Sequence, residues 1–247
     1  MEDLVRYIHT EDVHNTKAAS QVVPFLVETF KPSSVLDIGC GTGTWLKVFS
    51  QHDSVKKLQG IDGDYIDMKK LVMPAEWLKK YDLTQPLDLQ QRFDLVISFE
   101  VAEHLPKEFA QTFVDTLTHH SDLVVFSAAI PAQEGQNHLN EQWQSYWAAM
   151  FAAKGYKAYD IIRPLFWQNN NVDVWYKQNI LVYSKNSLPF PEATVLDMIH
   201  PELWEARNKR LATSAYQLQR IKDGKVGLGF PLKSFLRSLM KFGAKSK

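Results

Sequence analysis

The nine residues Val35-Leu36-Asp37-Ile38-Gly39-Cys40-Gly41-Thr42-Gly43 combine a strand-like run, an acid and three alternating glycines. That spacing lets the backbone turn sharply and lie against a ligand with no Cβ atoms in the way. A dinucleotide turn needs its third glycine at position 44, where Thr44 stands, and a P-loop needs a lysine that Gly43-Thr44-Trp45 lacks. Asp37 would repel a pyrophosphate and attract a cation. The turn therefore suits an adenosyl ligand without phosphate and with a positive end. Two further acids follow in order. Asp62, in Gly60-Ile61-Asp62-Gly63, lies 25 residues after Asp37, where an acid can accept hydrogen bonds from ribose hydroxyls. Asp82-Leu83 offers a short acid and an apolar side chain for an adenine ring.

A second group of residues suits an acceptor. Glu100-Val101-Ala102-Glu103-His104 closes the strong apolar run Phe93–Phe99, and the 3- and 4-residue spacings put Glu100, Glu103 and His104 on one face if a helix starts there. Two readings stand for this segment: a divalent-metal site, or a Glu-His pair that packs beside the cofactor and caps a helix, the second being the commoner arrangement. His138, in a loop beyond the next strand, is placed to take a proton near neutral pH, unless it is an ordinary surface histidine. The catalytic candidates are thus His138, Glu100 and His104. The metal candidates are Glu100, Glu103, His104 and His138. Trp143, Trp147, Phe166, Trp167, Trp175 and Tyr176 make the second half aromatic; some could stack on an acceptor, with Asn169, Asn170, Asn171 and Gln178 binding hydroxyls, although ordinary core is the simpler reading for most of the rings.

Alternating strands and helices must position these groups. Strands are expected at Ser34–Ile38, Leu58–Ile61, near Tyr81, at Phe93–Phe99 and at Leu123–Ala129. The residues before Tyr81, Glu76–Lys80, read equally well as helix. Helices are expected at Lys17–Phe30, Trp45–Gln51, Tyr65–Val72, Phe109–His119 and Gln142–Lys154. Tyr156–Ile162 and Gln178–Tyr183 read as strands joined without a helix, which predicts an antiparallel finish to a parallel sheet. Beyond His200, a helix over Pro201–Lys222, a turn over Gly224–Gly229 and an amphipathic segment over Pro231–Phe242 are expected.

With these motifs in order, residues 16–184 resemble the class I S-adenosylmethionine-dependent methyltransferases, of the broad branch acting on small molecules and glycans. The resemblance rests on Val35–Gly43, Gly60–Asp62, Asp82-Leu83 and Phe93–Leu105. It implies a Rossmann-like α/β fold, seven strands in the order 3-2-1-4-5-7-6 with helices on both faces. It also implies S-adenosyl-L-methionine as cofactor. Carried over residue by residue, Asp37, Gly39 and Gly41 would meet the methionine part, Asp62 the ribose, and Asp82 and Leu83 the adenine, with Cys40, Gly63 and Phe99 as further cofactor-binding residues. The Glu-x-x-Glu-His segment resembles the metal-binding segment of small-RNA 3′-end methyltransferases and of some quinone-precursor O-methyltransferases. Those use a further histidine downstream, a part open to His138.

The composition narrows the acceptor. Lys plus Arg (28) equals Asp plus Glu (28), but from His200 onward there are 11 basic and 3 acidic residues, which leaves the preceding body acidic. DNA is not an expected partner. The fourth strand ends in Ser98-Phe99-Glu100 without the Asn/Asp-Pro-Pro-aromatic pattern of amino-directed base methylation, and the single cysteine, Cys40, lies inside the cofactor turn. One cysteine also excludes a disulfide framework. The expected activity is O-methylation of a small molecule or a sugar or glycan precursor. RNA ribose methylation and a non-catalytic S-adenosylmethionine-binding protein are the alternatives. The N-terminus lacks a signal-peptide core and the longest apolar run, Leu123–Ala132, falls far short of the ~20 residues a membrane span needs. The expectation is a cytoplasmic enzyme with a body over 1–199 and a basic helical extension over 200–247. That extension could touch a membrane surface or a partner protein, or pack on the body.

Overall fold

A computed structural model describes residues 15–227 and Lys233. Seven strands form one sheet in the order β3-β2-β1-β4-β5-β7-β6. They are β1 (Ser34–Ile38), β2 (Lys57–Asp62), β3 (Leu78–Lys80), β4 (Leu95–Phe99), β5 (Leu123–Ser127), β6 (Lys157–Tyr159) and β7 (Leu181–Ser184). Strands β1 to β5 pair in parallel, while β7 runs antiparallel to both β5 and β6. The register is level at the carboxyl edge. Asp37 pairs with Gly60 and Ile97, Asp62 with Lys80, and Phe99 with Ser127. Every residue that leaves these strand ends therefore enters one crevice, the usual ligand edge of an open α/β sheet.

Helices cover both faces because the central strands are apolar on both sides. Alternate residues divide between two cores. Val35, Leu95, Ile97 and Val125 pack with Val22, Val23 and Leu26 of α1 (Lys17–Phe30) and with Leu46 and Phe49 of α2 (Thr44–Phe49). Leu36, Val96, Val124 and Phe126 pack with Phe113 and Leu117 of α3 (Ala110–His120) and Trp147 and Phe151 of α4 (Gln144–Ala153). Stacking of Phe151 on Tyr183, with ring centroids 4.0 Å apart, brings β7 into the second core. The α1 helix ends at Lys31, in the left-handed conformation, before Pro32.

Three local expectations need correction. Tyr65–Val72 is no helix but a loop with one 3₁₀ turn at Met68–Lys70, initiated by the Asp67 carboxylate accepting from the Lys69 N–H. The link from β6 to β7 is not helix-free. It carries α5 (Arg163–Phe166) and α6 (Val174–Asn179), and the pair is antiparallel all the same. Glu76–Lys80 resolves into a 3₁₀ turn at Ala75–Trp77 followed directly by β3.

The chain divides into two compact units, one to Leu203 and one from Trp204. The helix α7 spans Pro201–Lys222, the residues expected. The amphipathic segment over 231–242 lies outside the described residues, Lys233 excepted. No described helix is long and apolar enough to cross a membrane.

Candidate active site

The glycine turn leaves β1 and is stitched to β2, where the N–H groups of Gly39 and Cys40 both donate to the Ile61 carbonyl (2.8 and 3.1 Å). Gly39 has φ +83°, and a β-carbon there would lie 2.3 Å from Val101 Cγ2. Only glycine fits that contact. Val101 belongs to the loop after β4, so the turn is shaped by the segment that carries Glu100 and Glu103.

Two acids face the turn. Asp62 is held by backbone, its Oδ2 accepting from Gly41 N–H at 2.6 Å and its Oδ1 from Gly63 N–H at 2.7 Å. Burial pushes its pKa up, against the opposing pull of hydrogen bonds from Tyr65, Gly41 and Gly63. Asp37 is 2% exposed, and its Oδ2 has no hydrogen-bond partner. Burial, and then the nearby Asp62 charge, hold its carboxyl well above the ordinary carboxylate value. A buried carboxylate with an unmatched oxygen is costly unless a cation arrives. The amine and sulfonium of S-adenosylmethionine fit that requirement.

The other expected cofactor residues occupy varied settings. The Cys40 thiol packs against β2, where a β-carbon on Gly60 would lie 2.6 Å from its Sγ, and burial raises its pKa. Only the Cys40 backbone is presented by the turn. Gly63 lies under the Tyr65 ring. Asp82 is exposed, and its Oδ1 accepts from the Thr84 N–H and hydroxyl (3.0 and 2.8 Å). Leu83 is buried in the second core. Phe99 joins Trp45 and Tyr176, with ring centroids 4.3 and 6.2 Å away, in an aromatic wall at the end of β4.

Beyond Phe99 the chain turns at Glu100, which has φ +55°. Its backbone N–H donates to the Ser127 carbonyl and hydroxyl oxygens. Its carboxylate accepts from Gln133 Nε2 at 2.7 Å and Asn179 Nδ2 at 3.1 Å. Residues 102–104 make a 3₁₀ turn instead of the α-helix that would have aligned Glu100, Glu103 and His104. The left-handed Glu100 breaks the helical path. The same residues converge by another route. Glu103 is fully buried, and neither of its carboxylate oxygens has a hydrogen-bond partner at normal geometry. Burial and the adjacent Glu100 raise its pKa well above the ordinary value. The Glu103 carbonyl accepts from the N–H groups of Leu139 and Asn140 (2.7 and 3.0 Å), which docks the loop after β5 beside it.

That docking brings in His138. Ligand atoms of Glu103, His104 and His138 all lie within 4.8 Å of one another, and the two imidazole rings are 5.0 Å apart, edge to face. His138 Nδ1 bonds Glu141 Oε1 at 2.8 Å, and His104 Nδ1 faces the Asn137 carbonyl at 3.4 Å. With the proton of His138 on Nδ1, against the Glu141 carboxylate, Nε2 would keep its lone pair, the tautomer of a metal-ligating histidine. One bare carboxylate and two imidazoles form a donor set for a first-row divalent ion.

Sequence reasoning missed three residues here. Gln133 and Asn179 clamp Glu100, and nothing in their residue types or spacing marks them. Glu141 left a readable signal, a carboxylate three residues after His138. Of the aromatic residues weighed as stacking platforms, Trp147 is core, Trp143 is exposed, and Tyr176 lines the site. Gln178 is buried and bonded to Gln133, Asn179 and the His200 N–H.

A family model described as a methyltransferase domain matches residues 10–160, well over half of the chain. A small RNA 2′-O-methyltransferase from Xenopus tropicalis is 32% identical over 113 residues, which cover 39% of this chain and 31% of that protein. The match thus spans less than a third of the relative's length. Among solved structures, the methyltransferase domain of bacterial CtHen1 is 18% identical with a TM-score of 0.50, covering 68% of this chain and 98% of that one. The sugar N-methyltransferase KedS8 from Streptoalloteichus sp. ATCC 53650 is 13% identical with a TM-score of 0.55, covering 76% and 98%. At these identities the structures speak for the fold. The matched domain, the seven-strand order and the acid-flanked glycine turn together establish that the chain belongs to the methyltransferase-domain family and is an S-adenosylmethionine-dependent methyltransferase.

Proposed function

We propose that the chain O-methylates a sugar hydroxyl, with a divalent cation held by Glu103, His104 and His138 beside Glu100. The observation that carries this reading is the Glu103 carboxylate, fully buried with no partner at normal hydrogen-bond geometry for either oxygen and with ligand atoms of two imidazoles within 4.8 Å. A structural carboxylate would be hydrogen-bonded, as Glu100 is. A bound cation would hold the acceptor oxygen and favour its ionisation.

The chain's own residues do the rest. Asp37 and Asp62 draw in the cationic and ribose parts of the donor, while Gly39, Gly41 and Gly63 give its backbone room. Leu83 supplies apolar surface toward the adenine side, with Asp82 at its exposed rim. The wall of Trp45, Phe99 and Tyr176 excludes water from the end of β4. The acceptor oxygen attacks the methyl carbon in line as the carbon–sulfur bond breaks, giving a methyl ether and S-adenosylhomocysteine. Alignment supplies most of the acceleration, because the sulfonium is already activated. Glu100, aimed by Gln133 and Asn179, takes the hydroxyl proton. His138 then serves as ligand in place of the general base weighed from the sequence.

A second reading concerns where the sugar resides. A ribose at an RNA end is favoured over a free sugar or glycan precursor by one observation, the 32% identity to a small RNA 2′-O-methyltransferase. Transfer of labelled methyl from S-adenosylmethionine, with Mn²⁺ or with chelator, tests both readings. A short RNA with an intact terminal cis-diol should accept label only with metal, and periodate oxidation of that diol should abolish acceptance. Labelling of a free or nucleotide-linked sugar instead would move the acceptor to the small-molecule class. Label transfer undiminished by chelation would contradict the metal.

A further inference from the structure

The loop from β5 to α4 is held in a conformation that its residue types do not favour. Ala132, Glu134 and Asn137 all have left-handed φ, at 66°, 60° and 57°. Asparagine tolerates that region, but alanine and glutamate adopt it only where the surroundings hold them there. One carboxylate holds Ala132 and Glu134. Glu141 Oε2 accepts from the Ala132 N–H at 2.7 Å, and its Oε1 accepts from the Glu134 N–H and His138 Nδ1, both at 2.8 Å. The side chains of His138 and Glu141 are only 12% and 19% exposed.

The other end of the His138 ring packs beside Gly135. A β-carbon at Gly135 would lie 2.1 Å from His138 Nε2. Any other residue would cover the nitrogen that carries the lone pair. The loop therefore grips His138 at Nδ1 and sets only a glycine beside Nε2.

We infer that Glu141 is the positioning residue of the metal site: it fixes the proton on His138 Nδ1 and folds the strained loop, so that Nε2 is offered to a divalent cation past Gly135. This inference rests on the proposed metal reading. Glu141 acts through His138, as carboxylates behind ligating histidines do. The role differs from merely stabilising the fold, because the hydrogen bond to the ring decides which nitrogen can ligate.

The test uses the full chain without metal, labelled with ¹⁵N-histidine, followed by Mn²⁺ titration. Wild type should show His138 protonated at Nδ1 and bare at Nε2, and Glu141→Gln should change that pattern. Glu141→Gln should also weaken Mn²⁺ binding by about tenfold or more, within the range for second ligand-shell partners. In a His138→Ala background the same substitution should make no further difference. Gly135→Ala should weaken Mn²⁺ binding while leaving the Nδ1 proton in place, and it keeps the test open if Glu141→Gln does not fold. A proton found on Nε2 in wild type would overturn the inference. So would an equal loss of affinity with and without His138, or Mn²⁺ binding unmoved by Gly135→Ala. If wild type binds no Mn²⁺ the metal reading fails by itself, and an unaltered ring pattern in Glu141→Gln then overturns the role of Glu141 separately.

Discussion

The two halves of the proposed site both bury carboxylates, but they treat them differently. On the donor side, Asp62 is satisfied by the backbone N–H groups of Gly41 and Gly63, close in sequence to the turn itself. On the acceptor side, Glu100 is satisfied by side-chain amides from Gln133 and Asn179, which arrive from two distant elements. Each half then leaves one carboxylate bare, Asp37 and Glu103. A buried acid without a partner favours its neutral form and ionises when a cation arrives, so each marks a place suited to a positive ligand. The two differ in what can match them. Asp37 stands beside another acid and a glycine turn, which suits an organic cation. Glu103 stands beside two imidazoles, which suits a metal.

The largest expected effect breaks the acceptor half alone. Glu103→Gln should lower methyl transfer by roughly a thousandfold, about 4 kcal/mol of transition-state stabilisation. The metal-free variant should melt no lower than wild type, because an uncompensated buried acid has been removed. Thermal unfolding checks this, and a large drop in melting temperature would make Glu103 structural.

Next comes the donor half. Asp37→Asn and Asp62→Ala should each weaken S-adenosylmethionine binding about 10- to 100-fold by calorimetry, the worth of a hydrogen bond to a charged group. Mn²⁺ affinity should not move. Parallel losses of both ligands would end the division into halves.

A smaller effect follows from the raised pKa of Asp37, which burial and then Asp62 cause. A raised carboxyl contributes stability below its unfolded pKa, and this is lost as pH rises through the folded value. The cationic donor favours the ionised form, so binding should release a proton. Affinity should then fall as pH drops through that raised pKa, by at most about tenfold per pH unit for a single group. Calorimetry in buffers of different ionisation enthalpy reads the proton directly; zero release would leave Asp37 unlinked to the donor. The smallest change joins the halves. Gly39→Ala places a methyl against Val101 at φ +83° and should cost about 1–3 kcal/mol of stability, read by denaturant unfolding.

The same contrast explains what the sequence revealed. The donor half is a linear motif: Asp37, the glycines and Asp62 lie at strand ends whose apolar runs are plain, and β1 falls on the residues expected. The acceptor half depends on loop geometry. Glu103, His104 and His138 were visible as residue types, but a helix was the expected means of aligning Glu100, Glu103 and His104, with His138 arriving from a later loop. Glu100 in the left-handed region and the docking of Leu139 and Asn140 on the Glu103 carbonyl do that work instead. Neither has a local signature. Gln133 and Asn179 were invisible because an amide in a loop or a short helix looks like any polar residue until its partner is known.

Direct titration of Mn²⁺ into the metal-free chain tests the central claim most simply. The account predicts saturable binding of one ion per chain, lost in Glu103→Gln and in His104→Ala. Absence of saturable binding in the wild type, or binding that both substitutions leave intact, would contradict it.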